Sequence, residues 1–516
     1  MRIRRLAAPL AIITALTAGF TAAEAQTTLS AEVQATVTHG DNTPLWLNAN
    51  RYGLSSLSTD NGYVRAALTH SMEEDSLKDL AFGYGADVAV AHHFTSTVIV
   101  QQLYGEARWH KGVLTIGSKE QPVELRNQLL SSGAQTLGCN AMPWPGVRVA
   151  LPLYWEVPGT KGWLAIKGNL SYGIQTDDQW QKDFTAKTTK YTEHTYVHTK
   201  AGYLRFGKEH CTVALELGLE MGCQFGGKSH QFNNGTETIV KNDGSPKAFI
   251  HAFVPAGFDS GEGDYKNKEG NHLGNYLVRV SIDKPAYHLA IYGDHFFEDS
   301  SQMLFFEYDG YGEGEEWNDW KYSRWFLYRL KDMMLGAEIR LKKQRWVNDI
   351  VAEYIYSKHQ SGALYHDRTP SLSDHFGGCD DYYNHYIHPG WQHWGQVAGN
   401  PLYRSPLYNH DQRVAVENNR FVAWHLALSG QPTAQLYYRL MATWQKGFGS
   451  YELPTPKPVC NSYLMAEARY AFPHSSALRH WTVTAAVALD HGQWTGNNVG
   501  TQLTLRRTMS LSKRDR

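Results

Sequence analysis

The densest set of potential metal ligands and proton carriers in this 516-residue chain is His385, His388, His393 and His410, together with Asp380 and Asp381. Imidazoles and carboxylates in one segment can hold a transition metal or move protons. Their spacing matches neither an HExxH helix nor an EF-hand loop, and imidazoles in a polar loop also make ordinary hydrogen bonds. No metal and no other cofactor is expected. Nucleophilic catalysis needs Ser and His brought together with an orienting partner. There is no GxSxG, and Ser229-His230 stands in an undistinguished polar stretch. Glycoside hydrolysis needs two carboxylates roughly 5–9.5 Å apart. Glu216 and Glu220 are the obvious pair, but four residues along one strand separate them by about 13 Å. Glu313, Glu315 and Glu316 sit among glycines, and the segment lacks the Lys of a phosphate-binding loop. The chain is expected not to be an enzyme.

The same region has another chemistry. Residues 380–409 read DDYYNHYIHPGWQHWGQVAGNPLYRSPLYN. A sugar ring offers an apolar face and a rim of hydroxyls, which aromatic faces and polar side chains can cover in turn. Tyr382, Tyr383, His385, Trp391, Trp394, Asn400 and Arg404 are the candidate carbohydrate contacts. The other reading is an ordered loop whose aromatics pack on the protein, and composition leaves the two side by side.

The elements that must hold this loop are strands. From Cys211 to Cys223 the odd positions are Cys, Val, Leu, Leu, Leu, Met and Cys, and the even positions are Thr, Ala, Glu, Gly, Glu and Gly. Successive strand side chains point to opposite faces, so one face is apolar and the other small or acidic. Similar alternation runs through Leu29–Thr38, Leu164–Tyr172, Tyr276–Asp283, Leu335–Lys342 and Trp481–Asp490. The run at 211–223 is roughly 40 Å long at about 3.3 Å per residue, which suits a tilted membrane-crossing strand. Aromatics make up 13% of residues, with 30 Tyr and 16 Trp, types that concentrate at membrane–water interfaces. The expected fold is all-β: a transmembrane antiparallel barrel of about 18 strands with long extracellular loops. The candidate plugs of its lumen are residues 71–80 and 122–132, each a short helix or a loop with one helical turn. A β-sandwich or propeller would show the same periodicity. The long polar segments 225–272, 300–322 and 359–412 are the expected extracellular face.

Residues 1–25 have the form of a secretory signal: Arg2, Arg4 and Arg5, an apolar stretch from Leu6 to Phe20, and Ala23-Glu24-Ala25 as the cleavage site. The mature chain, residues 26–516, then reads as one domain. The formal charge of −1 gives no support for nucleic-acid binding. Five cysteines without metal-ligand spacing read as apolar filler, mostly on the outer face.

Several stretches together resemble the Wzi capsule-assembly family in the form common among Bacteroides-type bacteria. They are TPLWLNANRYG (43–53), SSGAQTLGCNAMPWPGVRV (131–149), HFFEDSSQM (295–303), AEYIYSKHQSG (352–362), GWQHWGQVAGNPLYRSPLYN (390–409) and ENNRFVAWHLALSG (417–430). They span nearly all of the mature chain, and their order and spacing carry the match. The resemblance implies a lectin-like protein of the Gram-negative outer membrane that binds capsular polysaccharide after export and assists its attachment at the cell surface. It implies lipid as the surrounding solvent and a monomer as the working unit. Enterobacterial relatives carry a helical bundle ahead of the barrel, whereas here the alternation begins at Leu29. A diffusion channel is the alternative expectation.

Overall fold

The computed structural model describes residues 27–72, 79–208, 211–254, 270–298, 332–365, 376–379 and 381–511. The expected signal segment, the polar stretch 300–322, Asp380 and most of the candidate helix 71–80 lie outside the described residues.

Eighteen strands form one sheet. They are β1 (Thr27–His39), β2 (Asp60–His70), β3 (Leu80–His92), β4 (Val98–Trp109), β5 (Gly112–Ser118) and β6 (Gly146–Glu156). Next come β7 (Leu164–Ile174), β8 (Tyr196–Phe206), β9 (Val213–Phe225), β10 (Asn271–Asp283), β11 (Tyr287–Glu298) and β12 (Met333–Leu341). The last six are β13 (Asp349–Tyr356), β14 (Phe421–Gly430), β15 (Leu436–Gly449), β16 (Pro454–Ala471), β17 (Trp481–Gly492) and β18 (Asn498–Ser510). Each pairs antiparallel with its sequence neighbour, and β18 closes on β1 with Thr28 opposite Ser510 and Val37 opposite Thr501. Closure leaves no unpaired sheet edge, which is what permits strands to cross a bilayer.

The outer wall carries the apolar half of the alternation. Val33, Val64, Val90, Leu335, Val487 and Leu503 are all exposed, while their neighbours Gln34, Glu338 and Gln502 are buried inside. A sheet that turns its valines and leucines outward and its acids and amides inward is built for hydrocarbon outside. Exposed Trp109, Trp163 and Trp346 ring one end of this wall, and Trp424 and Trp444 stand near the other.

The connections differ sharply between the two ends. One end has short turns, such as 110–111 and 284–286, and holds the outer ends of both β1 and β18. The other carries the long segments 40–59, 119–145, 175–195, 226–270 and 357–420. These are called the turn end and the loop end.

Three of the long segments fold into the lumen. The first enters through a four-residue helix, α1 (Leu45–Asn48), whose Leu45 N–H donates to Asp490 of β17 at 2.8 Å. The second, 119–145, descends furthest. Lys167 binds Glu124 at 2.5 Å, Arg279 donates to the Leu125 carbonyl at 2.9 Å, and Arg439 donates to the Leu129 carbonyl at 2.7 Å. All three partners lie toward the turn end of their strands. This segment is the candidate plug at 122–132, and it takes the loop form, irregular chain with one turn at Asn127–Ser131. The third segment, 381–420, packs above it.

Cys139, Cys211, Cys223 and Cys460 are free thiols. Cys139 lies inside the plug beside Val123 and Ala134 rather than on the outer face.

Candidate functional site

The loop expected to stand above the membrane is instead the upper layer of the plug. Trp391 is fully buried, its indole N–H donating to the Thr136 carbonyl at 2.9 Å, and its ring lies 5.1 Å from Trp144. Tyr383 is buried, donates its hydroxyl to the Gln135 carbonyl and sits 4.3 Å from the Tyr403 ring. Tyr382 is buried, and its carbonyl accepts from Asn419 at 2.9 Å. Asn400 is fully buried, giving its amide to Ser132 at 3.2 Å and to the Gly133 carbonyl at 3.1 Å. These four side chains take the packing alternative that composition leaves open. Trp391, Tyr383 and Asn400 spend polar atoms on the 119–145 segment, while the Tyr382 backbone bonds Asn419 and Gln360. A wide lumen needs filling by aromatic and amide side chains that satisfy one another.

The remaining three candidates lie nearer the surface. His385 is half-buried, and its Nδ1 accepts from the backbone N–H groups of Ile387 and His388 at 3.2 and 3.3 Å. Arg404 donates to Glu417 at 2.7 Å and to the Trp494 carbonyl at 2.9 Å, so its guanidinium ties the loop to the connection between β17 and β18. Trp394 is half-buried in a left-handed turn (φ 54°), and its indole nitrogen has no hydrogen-bond partner.

Around Trp394 the structure adds residues that sequence reasoning passed over. Segment 175–195 carries a one-turn helix, α2 (Trp180–Phe184). Trp180 and Phe184, four apart, stack at 4.8 Å with their planes 22° apart. The Trp180 indole lies against Gly395, where a Cβ would come within 2.5 Å of the ring. Gly395 has φ +78°, so both its backbone and its missing side chain are used. Leu407 packs on the same glycine. Tyr386 is 75% exposed, and Lys190 stands 5.8 Å from its ring while donating to the carbonyls of His385 and Tyr386. Half-buried or exposed Trp180, Phe184, Trp394 and Tyr386 thus crown the loop end. The only signal in the sequence was the aromatic pair in TDDQWQKDF between two strands.

Burial sets the protonation here. It pulls His385 down to about 4, His388 to about 3 and His393 to about 4, and lowers the Lys190 ammonium to about 8. His393 is held as a neutral imidazole between two segments of the chain: Nδ1 meets the Met142 carbonyl at 2.8 Å, and Nε2 accepts from the Thr176 N–H at 3.2 Å. This histidine is a strut of the plug.

No family model matches the chain, and no curated protein matches it. Solved structures do. Wzi of Escherichia coli, an outer-membrane protein involved in group 1 capsule assembly and a carbohydrate-binding β-barrel, is 13% identical with a TM-score of 0.56. That match covers 97% of this chain and 88% of Wzi. Pseudomonas aeruginosa OpdQ (9% identity, TM-score 0.48, covering 95% of this chain and 100% of that one) is also similar. So is OccK5 of the same organism (9% identity, TM-score 0.46, covering 94% and 98%). At such identities the likeness is one of fold. The fold is a closed β-barrel of the kind found in outer-membrane proteins.

Proposed function

We propose that this protein is a carbohydrate-binding barrel of the Gram-negative outer membrane that holds capsular polysaccharide at the cell surface. It acts by stacking and hydrogen bonding, with no covalent step. The observation that carries the reading is the lumen. It is filled from the loop end to near the turn end by segments 40–59, 119–145 and 381–420, and the outermost layer of that filling presents aromatic rings. A diffusion channel needs a continuous aqueous path, which this packing opposes. An aromatic deck on a rigid plug suits sugar faces. The fold likeness to Wzi, itself a carbohydrate-binding barrel involved in capsule assembly, supports the same reading.

The contacts are reassigned accordingly. Trp180, Phe184, Trp394 and Tyr386 are the proposed stacking faces, with Lys190 and His385 beside them. Trp391, Tyr382, Tyr383 and Asn400 hold that deck in place. Purified full-length protein in detergent should bind capsular polysaccharide of its own host, and Trp180→Ala or Trp394→Ala should weaken binding by about tenfold, equivalent to roughly 1.4 kcal/mol. In planar bilayers the wild type should be silent. Unchanged affinity in the Trp180→Ala/Trp394→Ala double variant would remove the deck from the reading. Steady open pores in the wild type would replace the lectin with a channel.

A further inference from the structure

At the loop-end rim, β2 begins at Asp60 and β3 ends at His92. The two strands pair with Val64 opposite Val90 and Gly62 opposite His92. Val64 and Val90 are the last large apolar side chains on the outer face of this pair, and both are exposed. The next outward positions on the two strands are Asp60 and His92, with the side-chain-free Gly62 between them. Strand alternation would send His93 to the opposite face. Its φ of +58° instead marks a left-handed turn, and its ring lies over that of His92, with centroids 3.7 Å apart. The Ser56 hydroxyl donates to the His93 carbonyl and holds the turn.

The bonding around His93 points to Nε2 as the nitrogen that faces a metal in the neutral ring. Its Nδ1 lies 2.8 Å from the Asp60 carbonyl oxygen, which can only accept, so Nδ1 carries the proton. The Nε2 lone pair is left bare. A ring N–H tied to a carbonyl is how metal-binding imidazoles are oriented and their tautomer fixed. The Asp60 carboxylate is adjacent, 3.3 Å from the same ring nitrogen. One ligand atom from each of Asp60, His92 and His93 lies within 4.8 Å of the others, and all three residues are exposed. Among the described residues no other trio of His, Cys, Asp and Glu converges in this way.

We propose that Asp60, His92 and His93 form a binding site for a divalent transition metal of the Zn²⁺ class, placed on the outer wall just above the apolar band. Two imidazoles and one carboxylate supply three of four tetrahedral positions and leave the fourth to water. Donor atoms in such a shell are about 3.3–3.5 Å apart, so the exposed side chains close by about an ångström and the two imidazoles turn out of their stack to aim their in-plane lone pairs at the ion. The donor set discriminates against Ca²⁺ and Mg²⁺, which prefer all-oxygen shells.

The test is titration of full-length, detergent-solubilised protein with Zn²⁺ by calorimetry, and with Co²⁺ by visible absorption. All variants are first checked for the folded barrel by heat-modifiable gel mobility. The expected result is that His92→Ala/His93→Ala loses one Zn²⁺ equivalent and the matching Co²⁺ ligand-field band, while Asp60→Asn weakens that equivalent by at least about tenfold. Millimolar Ca²⁺ or Mg²⁺ should not displace it. Equal stoichiometry and affinity in the wild type and the double variant would overturn the site, as would a wild type that takes up no Zn²⁺. Displacement by Ca²⁺ would overturn the metal class.

Discussion

Gly222 of β9 and Trp391 of the plug are in direct contact: a Cβ built on Gly222 would sit 2.4 Å from the indole Cη2. The inner face of β9 carries Glu216, Gly218, Glu220 and Gly222, and its last glycine is the recess that receives the largest fully buried side chain described. Gly222→Val must therefore push Trp391 off its seat. Overpacking of this kind costs about 1–3 kcal/mol. The barrel strands keep their pairing, so the effect should fall on the plug. We expect faster amide exchange in residues 381–409 and intermittent conductance in planar bilayers. A variant as silent and as protected as the wild type would show that the indole relocates without loosening the plug.

A second anchor lies deeper. The Arg126 guanidinium, on the descending segment, binds Asp294 of β11 at 2.5 Å, and both side chains are fully buried. Removing one partner of a buried pair costs about 3–5 kcal/mol, because the other charge is left bare in a poor solvent for it. Arg126→Ala should therefore release the segment around Glu124–Leu130, whereas Arg126→Ala/Asp294→Ala should be milder than the single change. The comparison is read by thermal unfolding and by bilayer conductance. A double variant as damaged as the single one would mean that the guanidinium's other contacts, such as its 3.0 Å bond to the Gly133 carbonyl, carry the anchoring.

The strands were legible because a closed membrane barrel writes its two solvents directly into the period of two. The run from Cys211 to Cys223 falls within two residues of β9, which spans Val213–Phe225. Glu220 points inward to the Tyr203 hydroxyl at 2.7 Å, and Glu216 faces Arg279 at 3.8 Å. The upper part of the outer face was not legible. Cys223 and Phe225 meet Ala248 and Ala252 of an eight-residue helix, α3 (Pro246–Phe253), rather than lipid. That contact is tertiary and leaves no periodic trace in the strand. The aromatic loop failed for a related reason. Tyr, Trp, Asn and Gln are what a sugar site uses, and they are also what fills a polar lumen while satisfying buried hydrogen bonds. The glycines at 218 and 222 were the hint that something large lay against the inner wall.

Glu353 of β13 shows how the plug is fastened at mid-height. Its buried carboxylate accepts from the Ser131 hydroxyl at 2.6 Å, the Ser132 N–H at 2.8 Å and the Tyr292 hydroxyl at 2.6 Å. Glu353→Leu would strand three donors at once, at about 1–3 kcal/mol for each that finds no water. Glu353→Gln keeps one acceptor oxygen and should cost less. Hydrogen exchange at Ser132 and its neighbours is the direct readout. Equal protection in Glu353→Leu would mean that water takes over all three bonds.

The buried histidines make the plug acid-sensitive, and the sign follows from their environment. His388 and His393 are each 1% exposed and are held neutral by burial, with values pulled down to about 3 and about 4. In a released loop the same groups titrate near 6.5. As pH falls below 6.5 the released form takes up protons that the seated form does not, so stability declines with falling pH. The contribution is fully present above 6.5 and is lost progressively toward the folded values. At pH 5 the loss is on the order of 2 kcal/mol per histidine. For His393 the cause is burial, which outweighs the Met142 and Thr176 backbone contacts that favour the protonated ring. Amide exchange and tryptophan fluorescence of the detergent-solubilised protein should therefore show a seated plug at pH 7.5 and a loosened one at pH 5, with the barrel strands unchanged. His393→Asn keeps a donor and an acceptor without a titrating group, and with His385 and His388 still titrating should reduce this pH dependence by about a third. An identical pH profile in that variant would remove His393 from the mechanism.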